Sequence, residues 1–357
     1  MSIGAICVYC LCLSTCNNQR IRNEESLCLS TCDNQRIRNE ESIMIDIIDS
    51  NIEDYLKKLS KFDFYATQFS SGKFLSCQRD LQLPKLIIGS WYVRTSILYQ
   101  GVLKEDCFYI VIPKRDASVL INGQKTEFNQ PLVFTIEQEM LVCIPDNSYS
   151  LYISIPTVEL AKYFDEEYIA QLKNATRQQN LGKQVFVKYE KNQNHLCSLI
   201  EVLLKKSKTL SYQVVLDTQE TIIELLCKLL TLISPLPRQN NISQIRRLAI
   251  VNRALNHIHN GSIINVTSPY LAEVSFCSLR NLEYAFKSLL NITPKQYLIK
   301  RRMQLIHSTL KSDRKVLISE IINNFGIVNQ GRFAKDYLKF YNEYPHQTRD
   351  KYLDCKV

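Results

Sequence analysis

The sequence predicts an α+β fold in which a β-rich N-terminal domain is followed by helices and then by an all-α C-terminal domain. Three observations predict it. Short runs of β-branched and aromatic residues recur roughly every 8 to 12 residues between 85 and 156. From residue 157 the apolar residues change to a helical period. All of the excess positive charge lies in the last part of the chain.

Length and composition limit the classes of protein to which this chain can belong. Its 357 residues are 45% hydrophobic and 22% charged, which excludes a wholly disordered, collagen-like or disulfide-framework protein. The unbroken apolar runs are shorter than the roughly 20 residues that span a bilayer, so no transmembrane helix and no membrane partner are expected. Beyond residue 32 the cysteines are scattered, as in a protein of the reducing cytoplasm.

The first 43 residues form a duplicated, cysteine-rich leader. Residues 11–26 recur as residues 27–42 with a single substitution. Two near-identical copies indicate a recent duplication in weakly constrained sequence, so residues 1–43 are not expected to fold. The thiols of Cys7 and Cys10 leave a zinc or redox site open as an alternative. No second pair lies at finger spacing, and we predict no metal site.

Residues 44–165 are predicted to form the β-rich domain. The domain opens at Met44 with a segment patterned as a helix, and seven β-rich runs follow from residue 85. Asn122-Gly123 is a strong signal for a two-residue hairpin turn, and Asp146-Asn147 marks another turn. Several short strands at this spacing indicate a small sandwich or barrel.

A helical region, residues 166–240, comes next. The apolar period predicts helices over 157–173, 195–208 and 213–233. One apolar stripe runs along the last helix, and it either belongs to the core or pairs with a second copy of the chain. We expect the second, a homodimer formed through Ile222, Leu226 and Leu229. Pro235, Pro237 and the polar residues after them then form a linker.

No catalytic chemistry is visible in the sequence. A metal enzyme built on a β-barrel needs clustered His and carboxylate ligands, but none of the five histidines falls in a predicted strand. His257 and His259 lie two residues apart on a predicted helix and therefore face different directions. The sequence also lacks phosphate-binding and nucleophile motifs. We predict no enzyme activity, no catalytic residue and no cofactor.

The charge of the chain is divided unevenly. From Ile245 to the end lie 18 of the 44 Lys and Arg residues and 8 of the 35 Asp and Glu residues, a net charge of +10 against −1 for the rest. A basic module joined to a nearly neutral one is typical of a nucleic-acid-binding protein with a separate sensor or partner domain. A surface for anionic lipid would give the same count, so charge alone leaves both open.

The basic part, residues 245–357, begins with a helix-turn-helix pattern. Ser268 caps a short helix that Pro269 opens, and after a brief turn Ser278 caps a second helix. Apolar residues at helical spacing give this second helix one buried face and one polar face. A helix that reads a DNA groove requires this arrangement. The apolar positions are Leu282, Ala285, Phe286 and Leu289.

The pattern then repeats, which makes it far more specific. Thr293-Pro294 opens a connecting helix of about 17 residues, about 25 Å long. Gly326 terminates a further short helix, and Asn329 caps a second reading helix. The connecting helix is long enough to hold two reading helices near one DNA turn, about 34 Å, apart.

Residues 247–349 resemble the DNA-binding domain of the AraC/XylS family of transcription regulators. The resemblance lies in AEVSFCSLRNLEYAFK (272–287), NITPKQYL (291–298), Arg301, Arg302, EIINNFG (320–326), RFAKDY (332–337) and Tyr344-Pro345. Three positions depart from the family. Ile322 replaces a usual alanine, Ile327 replaces a usual phenylalanine, and Gly331 lies inside the second reading helix.

The resemblance implies a seven-helix domain that places two reading helices in successive segments of the major groove. By position, the first helix would read base edges with Arg280, Glu283 and Tyr284, and the second with Gln330, Arg332 and Lys335. Phosphates would be contacted by Asn281, Lys287, Arg301, Arg302 and Lys339.

The N-terminal region is similar, more loosely, to the cupin-like domain of the family. This resemblance implies that the region binds an unidentified effector or mediates dimerisation. The interpretation is a cytoplasmic regulator that binds double-stranded DNA and acts with RNA polymerase. It is expected to be an activator, because activation is the commoner outcome in the family. Two alternatives are a DNA-repair methyltransferase fused to the same reader and a DNA-binding protein without a ligand. The methyltransferase's Pro-Cys-His-Arg type motif is absent from the sequence.

Overall fold

The computed structural model describes residues 36–39, 42–59, 61–114, 118–126, 131–136, 139–179, 190–231, 242–312 and 316–354. The cysteines of the leader and the two linker prolines lie outside these ranges. Within them, no helix is both long and apolar enough to cross a membrane.

Two antiparallel sheets form the N-terminal part of the described chain. Their strands are β1 (Arg36–Asn39), β2 (Ser42–Asp49), β3 (Phe62–Gln68), β4 (Ser76–Gln82), β5 (Ile87–Val93), β6 (Ile97–Leu103), β7 (Cys107–Pro113), β8 (Leu120–Ile121), β9 (Gln124–Lys125), β10 (Leu132–Phe134), β11 (Met140–Ile144) and β12 (Ser148–Pro156). The seven-stranded sheet has the order β1-β2-β4-β5-β12-β7-β10, and the five-stranded sheet has the order β3-β6-β11-β8-β9.

The two sheets enclose a shared core, which strand β7 illustrates. Cys107, Tyr109 and Val111 face the core between the sheets. Phe108 and Ile110, on the alternate face, join a second core behind the seven-stranded sheet. Because successive strand residues point to opposite faces, a strand buried on both sides is an unbroken apolar run.

Helices cover the outer face of each sheet. The helices of the described residues are α1 (Ile52–Lys58), α2 (Thr157–Leu160), α3 (Glu166–Gln179), α4 (Glu190–Lys206), α5 (Tyr212–Leu230), α6 (Ile242–Asn260), α7 (Ser268–Val274), α8 (Leu279–Leu290), α9 (Pro294–Ser312), α10 (Ile318–Asn324), α11 (Gln330–Tyr341) and α12 (Pro345–Asp354). Helices α3, α4 and α5 share the core behind the seven-stranded sheet. Helices α6 to α9 share a core with residues of the five-stranded sheet.

The α+β fold class and both predicted turns are confirmed. Asn122 and Gly123 have φ values of 51° and 81° and join β8 to β9. Asn147, at φ 54°, lies in the turn between β11 and β12. Asn and Gly tolerate this left-handed conformation, which two-residue hairpin turns require.

The start of the domain was predicted wrongly. Residues 36–39, inside the supposedly unfolded leader, form β1 and pair with β2. The segment from Met44, expected to be helical, continues as β2 to Asp49, and a helix begins only at Ile52. The β-branched isoleucines of β2 favour a strand, and β4 supplies a seven-residue pairing partner.

The predicted dimer stripe also requires correction. Ile222, Leu226 and Leu229 are buried within this single chain, and the first two belong to the core that α5 shares with the seven-stranded sheet. Their side chains are therefore not available to a second copy of the chain. Helices α3 to α5 thus pack against the β-rich domain, whereas the predicted boundaries after residues 165 and 240 stay predictions.

Candidate nucleic-acid interface

Helices α7 and α8 form the first helix-turn-helix unit. Thr267, rather than the expected Ser268, is the N-cap of α7, because its Oγ1 accepts from the backbone N–H of Tyr270. Ser278 caps α8 as predicted, and its Oγ accepts from the Asn281 N–H at 3.2 Å. The backbone N–H of Cys277 donates to the Ala272 carbonyl at 3.0 Å and closes the turn. These bonds fix the angle at which α8 leaves α7.

The polar face of α8 is open to solvent. Its opposite face is buried against α6 and α9, and this burial orients the helix. Tyr284 is 60% exposed although its ring is large. All five residues expected to contact DNA on this helix are exposed: Arg280, Asn281, Glu283, Tyr284 and Lys287.

Helices α10 and α11 form the second unit around a small core of their own. Phe333, Tyr337 and Tyr341 anchor α11 in that core. Asn329 caps α11, and its Oδ1 accepts from the Arg332 N–H at 2.9 Å. Gly326 takes a φ of 73° in the turn, as a helix-terminating glycine does.

The residues expected to contact DNA on α11 differ in their surroundings. Arg332 is exposed, and its Nε lies 3.9 Å from Asp336. Lys335 and Lys339 are exposed as well. Gln330 is half-buried and donates to Asn323 Oδ1 at 3.2 Å. The face therefore offers three cations and one amide that is already engaged.

Two predicted phosphate contacts, Arg301 and Arg302, are directed inward. The Arg302 guanidinium donates to the carbonyl oxygens of Ile263 and Val266 at 3.1 and 2.8 Å and so holds the loop before α7. Arg301 donates to the Ala66 carbonyl of β3 at 3.5 Å. Neither group is free for phosphate in this arrangement. The prediction that they contact phosphate was therefore wrong. It rested on their position along α9, and tertiary packing places this face of the helix against strand β3 and the loop before α7.

Two arginines of α6 that sequence reasoning missed reach the first unit. The Arg247 guanidinium carbon lies 5.5 Å from the centre of the Tyr284 ring, and its Nη1 donates to the tyrosine hydroxyl at 3.3 Å. Arg253 Nε donates to the Ser275 carbonyl at 3.1 Å, beside the exposed Phe276 ring. The only signal in the sequence was their position on the helix preceding the first unit.

The five-stranded sheet docks on the same helices through buried polar groups. The Thr67 hydroxyl lies 2.9 Å from the Tyr297 hydroxyl. Gln304 accepts from the Gln68 N–H at 3.1 Å and donates to Glu53 at 3.0 Å. The backbone N–H of Gly72 donates to the Phe340 carbonyl, so the sheet domain contacts the second unit too.

A cavity of about 100 Å³ lies between the two sheets. Aromatic and aliphatic side chains form most of its wall, and the Gln78, Ser150 and Tyr152 side chains contribute polar atoms. The Tyr152 hydroxyl and the Gln78 amide both donate to Asp80. Burial raises the pKa of Asp80 to about 7, an effect that the hydrogen bond from Gln78 opposes.

The described residues offer no metal centre, since no three His, Cys, Asp or Glu side chains among them are placed to hold an ion. Both histidines that line the helical cores are neutral. Burial holds the pKa values of His259 and His307 well below the usual range, with Arg301 and Lys311 adding to the effect.

The two short helix pairs define a double helix-turn-helix domain, and comparison with known proteins agrees. A family model described as a helix-turn-helix domain matches residues 271–351. The XylDLEGF operon transcriptional activator of Pseudomonas putida is 30% identical over 98 residues, which are 27% of this chain and 30% of that protein. XylDLEGF operon transcriptional activator 3 of the same organism is 27% identical over 108 residues, 29% of this chain and 33% of that protein.

This chain therefore matches about a third of the length of these curated relatives. The resemblance of the C-terminal domain to AraC/XylS regulators, noted in the sequence, is confirmed by the helix-turn-helix match and by these similar activators.

Among solved structures, the AraC-like transcriptional activator CuxR gives a TM-score of 0.39 at 12% identity, covering 77% of this chain and 96% of that one. ToxT from Vibrio cholerae gives a TM-score of 0.26 at 10% identity, covering 82% of this chain and 98% of that one. Likeness at this level carries no information about function.

Proposed function

We propose that this protein is a transcription regulator that binds double-stranded DNA through two reading helices, α8 and α11. One observation carries the proposal: each helix buries one face in its own core and leaves the other, polar face in solvent. Both lie in the part of the chain that holds the excess positive charge. Helix α9, which joins the two units, is 19 residues, about 28 Å, long and suits a spacing near one DNA turn.

Base reading and phosphate attraction fall to different residues in this proposal. Arg280, Glu283 and Tyr284 on α8 read base edges, as do Gln330, Arg332 and Lys335 on α11. Asn281, Lys287 and Lys339 contact phosphates and make binding sensitive to salt. Activation of transcription is the favoured outcome, because the matched relatives are named transcriptional activators.

The test begins with the full chain and a pool of random duplexes. We expect the bound fraction to converge on one sequence. Arg280→Ala should then weaken binding to that site by about 1 to 3 kcal/mol and weaken binding to scrambled DNA much less. Lys57→Ala, whose side chain is 75% exposed on α1 of the N-terminal domain, is the control for loss of a positive charge and should bind as the wild type does. Failure of the pool to converge would contradict the proposal.

A second part of the proposal assigns effector sensing to the cavity between the sheets. The same strands form the wall of the cavity on one side and, on the other side, the face of the five-stranded sheet that packs on helices α6 to α9 (the docked face). On β6, Tyr99 lines the cavity, whereas Leu98 packs on the helical domain. On β11, Val142 lines the cavity, whereas Leu141 packs on the helical domain. Because a packed sheet transmits small displacements, a ligand that moves this wall also moves the docked face.

The lining indicates a small, uncharged and mostly apolar effector. The volume is somewhat below the roughly 150 Å³ of an apolar cavity that takes up benzene. We expect benzene, but neither benzoate nor benzylamine, to raise the melting temperature and to change DNA affinity. Val142→Phe, which fills the cavity, should remove both responses. A benzene response that persists in Val142→Phe would place the ligand elsewhere.

A further inference from the structure

The turns of the two helix-turn-helix units share one backbone geometry but not one residue type. In each, an N–H bonds back to a carbonyl of the preceding helix, Cys277 to Ala272 in the first and Ile327 to Ile322 in the second. In each, the residue before that N–H has a positive φ. In the second turn it is Gly326, at 73°, and in the first it is Phe276, at 54°.

A phenylalanine is a poor choice for this conformation. Left-handed backbone brings Cβ close to the following carbonyl, which glycine avoids and which Asn tolerates best among the others. The other non-glycine residues with positive φ in the described ranges are all asparagines. Phe276 therefore keeps a strained conformation in a turn where glycine is the residue that removes the strain.

The Phe276 ring gains no burial in return. It is 85% exposed, among the most exposed large apolar side chains of the described residues. The Arg253 guanidinium carbon lies 5.8 Å from the ring centre, and its Nε donates to the carbonyl of the neighbouring Ser275 at 3.1 Å. Burial in this chain therefore does not explain why a ring, with a cation beside it, is kept in a strained turn.

The position of the ring indicates what it meets. Phe276 lies two residues before Ser278, the N-cap of α8. The N-terminal residues of a reading helix contact base edges, and the helix before it crosses the sugar-phosphate backbone. The turn that joins the two helices therefore lies beside the DNA when α8 is in the groove. An apolar ring suits a deoxyribose or a thymine methyl group, and the positive charge of Arg253 suits the adjacent phosphate.

We infer that Phe276 is a DNA-contacting residue, packed against a sugar or thymine methyl at the edge of the groove that α8 reads, with Arg253 facing the neighbouring phosphate. This inference rests on the proposed function, since it requires that α8 enters DNA. It adds the turn of the first unit to the contact surface. The strain at Phe276 is retained because the ring is used in the complex.

The decisive variant is Phe276→Gly in the full chain, measured on the site recovered from the random pool and on scrambled DNA. We expect the melting temperature to rise because the strain is relieved, while affinity for the recovered site falls about five-fold because apolar contact is lost. The salt dependence should not change, since no charge is removed. Phe276→Tyr keeps the ring and should bind within about two-fold of the wild type. Val158→Ala, an exposed apolar residue of α2, is the control and should leave DNA binding unchanged.

The outcomes separate the two proposals. A wild-type chain that selects no DNA sequence overturns the proposed function. A wild type that selects a sequence, with Phe276→Gly binding it equally well, overturns only the role of Phe276. Loss of reporter transcription with unchanged DNA affinity would assign the ring to a protein partner and would also overturn the inference.

Discussion

The ring of Tyr65, on strand β3, lies flat against the imidazole of His259, on helix α6, with centroids 4.3 Å apart and planes 7° from parallel. The other edge of the imidazole lies against Tyr297, whose hydroxyl is 3.0 Å from Nε2. Burial, and then the charge of Arg301, hold the pKa of His259 well below its usual range. A neutral histidine is thus held between the sheet domain and the DNA-binding domain.

This neutral histidine predicts a loss of stability in mild acid. The pKa of His259 is lower in the folded state than in the unfolded state. Its contribution to the free energy of unfolding is therefore present above pH 6.5, the pKa in the unfolded chain, and is lost as the pH falls below that value. His259→Phe keeps the stacking on Tyr65 but cannot titrate. Between pH 7.5 and 5.5 its unfolding free energy should fall by about 1 kcal/mol less than that of the wild type. Urea titrations at both pH values measure this, and parallel losses would contradict it.

Asp80 predicts the opposite slope. Its folded pKa is raised from 3.8 to about 7, so its contribution to stability is complete below pH 3.8 and is lost by about pH 7. Asp80→Asn cannot ionise and keeps an amide at the site. We expect the variant to match the wild type at pH 4 and to exceed it by about 1 to 3 kcal/mol at pH 7. A constant difference between the two pH values would show that Asp80 does not titrate in this range.

Arg302 and Lys339 should respond differently to removal of charge. Arg302 holds the carbonyls of Ile263 and Val266, so Arg302→Ala should lower the melting temperature and leave the salt slope of DNA binding unchanged. Lys339 is exposed on α11, so Lys339→Ala should leave the melting temperature unchanged and lower the slope by about one. Titrations of one duplex at several salt concentrations distinguish the two. A reduced slope for Arg302→Ala would restore its predicted phosphate contact.

Arg247 should act on DNA through Tyr284. Its guanidinium lies over the tyrosine ring and bonds the hydroxyl, which limits the orientations of a side chain that we expect to meet base edges. Arg247→Ala and Tyr284→Ala should each weaken binding to the recovered site, and the double variant should be little worse than Tyr284→Ala alone. Additive losses would show that the residues act independently. Arg246→Ala, exposed at the neighbouring position, is the matched control for loss of charge.

Much of the C-terminal domain was predictable because its signals are local. Ser278 and Asn329 cap the helices that the sequence indicated, since a cap depends on a side chain and an N–H three residues away. The apolar period placed Leu282 and Phe333 inward without knowledge of their partners.

The strands before residue 85 show where local patterns fail. Strands β3 and β4 carry Asp63, Gln78 and Asp80 among their apolar residues, and neither stands out as a β-rich run. Each is formed because a neighbouring strand supplies a seven-residue pairing partner, β6 for β3 and β5 for β4. Strand pairing depends on residues distant in sequence, which a window of sequence does not contain.

The sequence by itself determined the two helix-turn-helix units, their polar faces and the charge that favours DNA, because helical period, caps and net charge are properties of short segments. Where the sequence is compatible with two roles for a side chain, only the tertiary structure decided between them. The same apolar stripe serves a dimer or a core, and packing on the seven-stranded sheet places Ile222 in the core. The same guanidinium serves phosphate or a carbonyl, and the loop before α7 engages Arg302. Partners such as these meet only when the whole chain has folded, since contact between distant residues depends on the packing of every layer between them.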